Sequence, residues 1–439
     1  MDPAEGRHHP RGGARPLPAR RHRRGGRVTP RRSSRTPSGA RGPSRRAVLG
    51  GGGALALSGL AGAGLGLAAR GEVPGSRGGQ AGSGSGGTGR DGTAPQRPLR
   101  IAYLPITDAA PLLIAHSRGL FAEAGVEVAE PVRLRSWATM GEALLAGSVD
   151  LVHLLFPMAL QMRLDLGADI TVLGANHVDG SALTLGRDVP ELGALAGSTL
   201  AVPGWFSIHN IIVQQMLRAE GLTPVVRRTA SRDRGEVTLV PMAPSDMIPA
   251  LDAGSISGYT VADPFNAMGE TTGAGAIGRF LGDVWRSHPC CVTVASGTLL
   301  RRSPEQIAGV AEALVRAQIA CREDREGVAA ELAGTYLPQP LPAIAAAMHR
   351  EGAGHAHVAH PDWHGETIDF TPVLRPGFTA QLVREMRSTV LDAPLGALAE
   401  IDPEDAHDLV VDDTALRDAA RRIDPGSLVG LDDPEEIAP

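Results

Sequence analysis

The stretch "RIAYLPITDAAPLLIA", Arg100 to Ala115, joins an apolar run, a short polar corner and a second apolar run. The first run is typical of a buried strand, and Pro111 is typical of the first turn of a helix. A strand followed directly by a helix is the start of a βαβ unit. We predict that Thr107 and Asp108 at the corner cap this helix, whose free backbone N–H groups then face a ligand.

The same alternation of strand and helix patterns continues along the 439-residue chain, which is long enough for two domains with their own cores. A helix, Ala-Gly-Ser, a strand and a proline occur around Gly147 and again around Gly254, which indicates two similar lobes. We predict an α/β fold of two lobes joined by two extended hinge crossings at 180–188 and 290–300. A ligand of such a fold belongs in the cleft between the lobes.

The N-terminus is strongly basic, although the whole chain has a net charge of −5. Residues 1–46 contain 14 arginines against two acids, and Ser44-Arg45-Arg46 precede an uncharged Gly/Ala/Leu run. This layout predicts a twin-arginine export signal with a long basic lead over residues 1–70, and no nucleic-acid partner. We therefore expect the protein in the periplasm or on the outer face of the cytoplasmic membrane. Whether the signal is cleaved or stays as an anchor is left open.

The remaining domain boundaries follow from the strand and helix patterns. Residues 71–98 are rich in glycine and serine and predict a flexible linker. We assign 99–180 to the first part of lobe I, 181–290 to lobe II, and 291–439 to the return to lobe I with a C-terminal helical extension.

The sequence offers few metal or redox signals. Its cysteines are Cys290, Cys291 and Cys321, and the odd number with two neighbours disfavours a disulfide framework. Neighbouring side chains on a strand point to opposite faces, so we expect only one of the first two to face the cleft. The five histidines between His349 and His364 match no standard zinc spacing. We predict no metal and no cofactor.

Several segments, in the right order, resemble one family. They are "YLPITDAAPLLIAHSRGLFAEAG", "SWATMGEALLAGSVDLVHLLFPMA", "HNIIVQQML", "ISGYTVADPFN" and "VWRSHP". Together they resemble the nitrate/bicarbonate/sulfonate (taurine) substrate-binding proteins of ABC importers, and most of all the nitrate- and bicarbonate-binding branch. The resemblance implies a type II periplasmic-binding-protein fold, a small-molecule solute as ligand and a membrane ABC permease as partner. We expect a monomer.

The resemblance also implies individual cleft residues. Trp137 in "SWATM" and His209 in "SIHN" stand where the family has a cleft tryptophan and a cleft histidine. Ser181 stands near a polar hinge residue, and Asp263 in "ADPFN" near the acid of a Glu-Pro-Trp-Asn motif. The family often has His-Pro-x-Lys where residues 288–291 here read His-Pro-Cys-Cys. This departure removes the lysine expected of a nitrate site, and the chain has no lysine anywhere.

We predict a set of ligand-binding residues and no catalytic residue. Trp205 is expected to form an apolar wall and Cys291 to be the cysteine that faces the cleft, while His153 is expected to be a satisfied core histidine. The full set is Thr107, Asp108, Trp137, Ser181, Trp205, His209, Asn210, Asp263 and Cys291.

The predicted function is capture of a small anionic solute for an ABC importer. The sequence contains no nucleophile elbow and no Walker motif, which favours a binder over an enzyme. One alternative is a binder of a thiamine-pyrimidine or a cationic or aromatic solute, with Asp263 and the tryptophans forming the pocket. Another is an enzyme on the same fold, similar to thiamine-pyrimidine synthases, although these use a lysine that is absent here. The need for calcium stays open.

Overall fold

The computed structural model describes residues 97–349, 367–430 and 433–439. The predicted export signal, nearly all of the predicted linker and the histidines from His355 to His364 lie outside these residues. The described residues all fall within one compact unit, Thr88–Pro439. None of the helices in the described ranges is long and apolar enough to cross a membrane.

Strands and helices alternate through the described residues, as the sequence predicts. The strands are β1 Ile101–Tyr103, β2 Val132–Arg133, β3 Leu151–Leu155, β4 Ile170–Ala175, β5 Ser181–Gly186, β6 Thr199–Val202, β7 Thr223–Val225, β8 Glu236–Pro241, β9 Gly258–Ala262, β10 Gly275–Phe280 and β11 Cys291–Ser296. The α-helices are α1 Ala110–Ser117, α2 Leu120–Glu123, α3 Trp137–Leu145, α4 Phe156–Leu164, α5 Ile208–Ala219, α6 Pro244–Asp252, α7 Phe265–Thr271, α8 Gly297–Arg302, α9 Pro304–Glu323, α10 Arg325–Leu332, α11 Leu341–Met348, α12 Pro376–Ser388, α13 Ala406–Val410 and α14 Thr414–Ile423.

The strands form two sheets, each at the centre of one lobe. In the first sheet the order is β2-β1-β3-β11-β4, with β1 parallel to β2 and β3, and β11 antiparallel to β3 and β4. In the second sheet the order is β10-β5-β9-β6-β8-β7, with β6 parallel to β8 and β9. The two sheets confirm the predicted α/β fold of two lobes.

The internal repeat seen in the sequence is also present. Helix α3 leads through Gly147 to β3, and α6 leads through Gly254 to β9. Both glycines have left-handed backbone angles, with φ of +65° and +68°. Because a residue with a Cβ is strained in this conformation, glycine is favoured just after each helix.

Two crossings join the lobes as predicted, but not at 180–188 and 290–300, where the chain instead forms central strands of the two sheets. Strand β5 lies between β10 and β9, and β11 lies between β3 and β4. Every residue of β11 is buried, because a central strand is covered on both faces. The segments that pass between the lobes come just before these strands, at residues 176–180 (the first crossing) and 284–290 (the second crossing).

The two crossings run side by side. Val178 pairs with Pro289 in an antiparallel bridge, and the Asp179 N–H donates to the His288 carbonyl at 3.0 Å. The Asn176 N–H donates to the Cys291 carbonyl at 3.1 Å. The backbone of one crossing therefore holds the other in register.

The C-terminal residues 433–439 lie along the second crossing. Trp285 and Ile437 form an antiparallel bridge, and the Trp285 Nε1–H donates to Glu435 Oε2 at 2.8 Å. Arg375, the residue just before α12, reaches the same carboxylate at 2.9 Å. The chain end therefore packs against the hinge.

Candidate functional site

A pocket of ≈ 330 Å³ lies between the two lobes. Its walls come from the start of α3 and from β3 and α4 in lobe I, and from the segments after β6 and β8 in lobe II. The lining is mostly apolar and contains two predicted site residues, Trp137 and Trp205. It consists of Ser136, Trp137, Ala138, Leu155, Met158, Gln161, Pro203, Gly204, Trp205, Phe206, Pro241, Met242, Ala243 and Pro244.

Each lobe places the N-terminus of a helix near this pocket. Ser136 caps α3 by accepting from the Thr139 N–H at 3.2 Å, so Trp137 is the first helical residue. Ser207 caps α5 in the same way, by accepting from the Asn210 N–H at 3.1 Å. A serine cap aligns the first turn and leaves its remaining N–H groups free for a ligand.

A buried histidine lies directly behind Trp137. The ring centroids of Trp137 and His153 are 5.6 Å apart. His153 is fully buried, yet within the part of the chain that the structure describes neither ring nitrogen has a hydrogen-bond partner, and Trp137 Nε1 has none either. The prediction of a satisfied core histidine is therefore wrong. Burial lowers the pKa of His153 to about 3, against the attraction of Asp108, so the ring is neutral.

Two other predicted site residues contact each other. Ser181, the first residue of β5, lies with its hydroxyl oxygen 2.9 Å from His209 Nε2. Both side chains are buried, and His209 Nδ1 has no hydrogen-bond partner in residues 97–349, 367–430 and 433–439. Burial lowers the pKa of His209 to about 3. A neutral imidazole can donate one hydrogen bond and accept another.

Asp108 does not cap α1 as predicted. The chain forms a 3₁₀ turn at Thr107–Ala109 that continues into α1, and no side chain caps either helix. The carboxylate instead lies in a fully buried cluster, with Oδ2 at 3.0 Å from His177 Nε2. The Cys291 thiol donates to the same oxygen at 3.5 Å.

Both cysteines belong to this cluster, although the sequence predicted that their side chains point to opposite faces. The Sγ atoms of Cys290 and Cys291 are 3.7 Å apart, and both residues are fully buried. The rule of opposite faces holds only within a strand. Because β11 begins at Cys291, Cys290 belongs to the crossing before the strand and is free of that rule.

The cluster contains a strong ion pair. Burial alone lowers the pKa of His177, but the charge of Asp108 outweighs burial and raises it to about 10. The pKa of Asp108 is lowered in turn, although burial opposes this. Burial raises the pKa of the Cys291 thiol. Burial also acts to raise the pKa of Cys290, but its hydrogen bonds with Cys291 and His177 outweigh this effect and lower the pKa.

Thr107 and Asp263 connect the two lobes. The N–H and the hydroxyl of Thr107 each donate to the Asp263 carbonyl oxygen at 2.9 Å. The Asp263 carboxylate accepts from the Ala267 N–H at 3.1 Å, within α7. These two predicted ligand residues therefore form contacts of the protein with itself.

Asn210 also has internal partners. Its amide nitrogen donates to the Trp205 carbonyl at 2.9 Å, and its amide oxygen accepts from Gln214 at 2.9 Å. The side chain thus positions the loop that carries Trp205 instead of facing the pocket.

The structure adds His177, which was not predicted, and Cys290, for which the prediction favoured its neighbour Cys291. His177 lies in "NHVDG", and Cys290 lies in "HPCC". Both segments pass between the lobes, and the two crossings lie side by side, which brings these residues close together. Recognising the segments just before β5 and β11 as the true crossings is the signal that would have placed the two residues together.

Known proteins resemble this chain in sequence and in fold. Residues 92–337, more than half of the chain, match the NMT1-like family. The nitrate/nitrite binding protein NrtA of Nostoc sp. (strain PCC 7120 / SAG 25.82 / UTEX 2576) is 24% identical over 245 residues, which cover 51% of this chain and 53% of that protein. The chain thus spans about half the length of this curated relative.

Two solved structures share the fold. The periplasmic nitrate-binding protein NrtA from Synechocystis PCC 6803 has a TM-score of 0.63 and 18% identity, covering 74% of this chain and 89% of that chain. The alkanesulfonate-binding protein SsuA from Xanthomonas axonopodis pv. citri has a TM-score of 0.50 and 18% identity, covering 67% and 92%. These similarities confirm the type II periplasmic-binding-protein fold.

Proposed function

Because this chain belongs to the NMT1-like family, we propose that it is the extracytoplasmic solute-binding subunit of an ABC importer. Similar proteins are named for binding nitrate, nitrite or alkanesulfonates. A two-lobed protein of this kind binds a solute on one lobe and closes the other over it. The closed form is then recognised by the membrane permease, and no chemistry is required of the cleft.

A small oxyanion is the solute class that the buried donors favour. Trp137 Nε1, His153 and His209 Nδ1 are buried and have no partner among the described residues. An unpaired buried donor costs about 1–3 kcal/mol. Oxyanion oxygens accept hydrogen bonds, so a bound anion would satisfy Trp137 Nε1 and the single N–H of neutral His153. It would also satisfy His209 Nδ1 in the tautomer in which Nε2 accepts from the Ser181 hydroxyl. This observation carries the proposal.

The charged residues near the pocket indicate that an anionic solute would be held by hydrogen bonds and not by an ion pair. Asp108 is negative, but His177 beside it carries the opposite charge. No arginine lines the pocket, and the family's lysine is absent. We therefore expect the anion to be held by N–H groups and by the helix starts at Trp137 and Ile208.

A planar aromatic or cationic solute is the second candidate, and the pocket lining favours it. Trp137, Trp205 and Phe206 lie on the pocket wall together with Met158 and Met242. Aromatic rings stack on planar ligands and attract cations over their faces. A pyrimidine-type solute would use these walls and would leave the donors behind Trp137 unused.

Thermal-shift titration of the full chain distinguishes the two candidates. The test ligands are nitrate, nitrite, bicarbonate with and without calcium, taurine, an alkanesulfonate and thiamine pyrimidine. We expect one oxyanion to raise the melting temperature according to RT ln(1 + [L]/Kd). The His209→Ala variant should lose most of this shift, and the control His116→Ala, in α1 away from the pocket, should keep it. A shift with pyrimidines or cations alone would reject the oxyanion proposal.

Export is tested separately, because the predicted signal lies outside the described residues. Replacing Arg45 and Arg46 together with lysine should retain the chain in the cytoplasm, as read by cell fractionation. Replacing Arg31 and Arg32 with lysine is the matched control. Export of both variants at the wild-type level would reject the twin-arginine signal.

A further inference from the structure

A second site lies where the two crossings meet lobe I. Four side chains of metal-binding type converge there, namely Asp108, His177, Cys290 and Cys291. One ligand atom from each lies within 4.8 Å of all the others, and all four residues are fully buried. Within the described ranges this is the one group of its kind.

Three separate parts of the chain build this cluster. Asp108 comes from the 3₁₀ turn before α1, and His177 from the first crossing. Cys290 ends the second crossing and Cys291 begins β11. The bond from the Asn176 N–H to the Cys291 carbonyl fixes the two crossings beside each other. The four ligands therefore come together only in the folded protein.

Three of the six separations between the ligand atoms are close to those of a tetrahedral zinc site, and the other three lie within 4.8 Å. In such a site zinc lies about 2.3 Å from sulfur and about 2.0–2.1 Å from nitrogen or oxygen. Tetrahedral angles then place two sulfurs about 3.8 Å apart, a sulfur and an oxygen about 3.5 Å apart, and a nitrogen and an oxygen about 3.3 Å apart. The two Sγ atoms are separated by 3.7 Å. Cys291 Sγ lies 3.5 Å from Asp108 Oδ2, which is 3.0 Å from His177 Nε2. Small side-chain shifts would bring the four atoms to bonding distance of an ion at their centre.

The cluster also contains polar atoms that the protein does not satisfy. Asp108 Oδ1 and His177 Nδ1 are buried and have no hydrogen-bond partner among the described residues. A buried carboxylate is costly unless cations or several donors surround it. A divalent ion at the centre of the cluster would take the place of protonated His177 as the positive charge beside Asp108.

We propose that Asp108, His177, Cys290 and Cys291 bind a divalent transition-metal ion, for which Zn²⁺ has the matching bond lengths and ligand preference. Four protein ligands leave no open position, which is the arrangement of a structural site. The ion replaces protons on the thiols and on the imidazole. It ties both crossings to the turn before α1 and so stabilises the hinge. This inference goes beyond the proposed function and does not depend on it.

Metal content of the full chain is the first test. The protein is purified under reducing conditions without chelator and analysed by mass spectrometry for metals. We expect one zinc per chain, a lower melting temperature after removal by a chelator, and recovery on adding Zn²⁺. The cobalt-substituted chain should show a thiolate-to-metal absorption band and the intense visible bands of tetrahedral Co²⁺. Absence of both zinc and the cobalt bands in the wild-type chain would overturn the proposal.

Variants then locate the ion. Cys291→Ser and Asp108→Asn should each weaken Zn²⁺ affinity at least tenfold. Cys321→Ser is the matched control, because this cysteine is also buried and free but lies in α9 outside the cluster. A variant with His355, His357 and His360 changed to alanine should bind like the wild type. Loss of zinc only in this last variant would assign the ion to the histidine run and overturn the proposal.

The oxidation state of the two neighbouring cysteines gives a further check. Alkylation under native, non-reducing conditions should leave Cys290 and Cys291 protected in the zinc form and reactive after chelation. A bond between the two sulfurs in the exported protein, seen as the loss of two hydrogens in the intact mass, would contradict the metal site. Solute affinity does not enter any of these readouts, so they can fail or succeed separately from the proposed function.

Discussion

Thr107 of lobe I holds the main-chain oxygen of Asp263 of lobe II with two hydrogen bonds, one from its N–H and one from its hydroxyl, both at 2.9 Å. This is a direct connection between the turn before α1 and the strand end before α7. The Thr107 side chain is fully buried, so water does not compete for the hydrogen bond from its hydroxyl. The lobes are therefore held together at a point beside the buried cluster.

Removing this hydroxyl should loosen the closed arrangement. Thr107→Val keeps the volume and loses one hydrogen bond, so we expect the free energy of unfolding to fall by about 1–2 kcal/mol and solute affinity to fall severalfold. Urea denaturation and ligand titration measure the two effects. Thr271→Val, at an exposed hydroxyl of α7, should change neither. Unchanged affinity in Thr107→Val would show that the bond does not contribute to closure.

The indole N–H of Trp137 should matter for an oxyanion and not for an aromatic solute. Trp137→Phe keeps an aromatic wall in the pocket and removes the unpartnered Nε1 donor. We expect oxyanion affinity to fall about tenfold, as befits one hydrogen bond to a charged ligand. Trp205→Phe, on the opposite wall, should reduce it far less. Calorimetric titration of both variants measures the difference, and equal losses would show that only the ring surfaces are used.

Burial of neutral His153 should make the protein less stable in acid. The pKa is about 3 in the folded chain and near its ordinary value of 6.5 when unfolded. Between these values the unfolded state binds more protons, so stability falls as pH drops below 6.5, by about 1.4 kcal/mol per pH unit. His153→Gln should flatten this dependence by about one proton. Urea denaturation from pH 7 to pH 4.5 measures it, and an unchanged slope would contradict the assignment.

The side-chain carboxylate of Glu435, near the C-terminus, should stabilise the second crossing. It accepts from Trp285 Nε1 at 2.8 Å and pairs with Arg375 at 2.9 Å, and its side chain is only 9% exposed. Glu435→Ala leaves a mostly buried guanidinium and an indole N–H without partners, so we expect a loss of about 2–4 kcal/mol in thermal or urea unfolding. Glu436→Ala is the control, because that side chain is 68% exposed and its pair contributes little. Similar losses in both variants would show that the tail acts through its backbone alone.

The two-lobed fold could be predicted from local patterns. Strands and helix ends were predicted from the apolar runs, from Pro111 and from the glycines at 147 and 254. Each of these signals depends only on a few neighbouring residues. The crossings were misplaced because a central strand and an extended connector look alike when only apolar content is considered. Their burial depends on neighbouring strands that are distant in sequence.

The candidate site could be predicted only in part. Trp137 and Trp205 line the pocket between the lobes, whereas Ser181 and His209 contact each other outside its lining. His177 and Cys290 were missed because their proximity to Asp108 depends on how two crossings lie side by side. Asn210 has hydrogen-bond partners within the protein. A polar side chain at the start of a helix can bond either to a ligand or to the nearby backbone, and the sequence does not distinguish the two.

The most direct test of the central claim is calorimetric titration of the full chain with the oxyanion that gives the largest thermal shift. We predict a single binding site per chain and loss of binding in His209→Ala, with His116→Ala unaffected. No measurable binding of nitrate, nitrite, bicarbonate or sulfonates, combined with tight binding of a pyrimidine or a cation, would contradict the account.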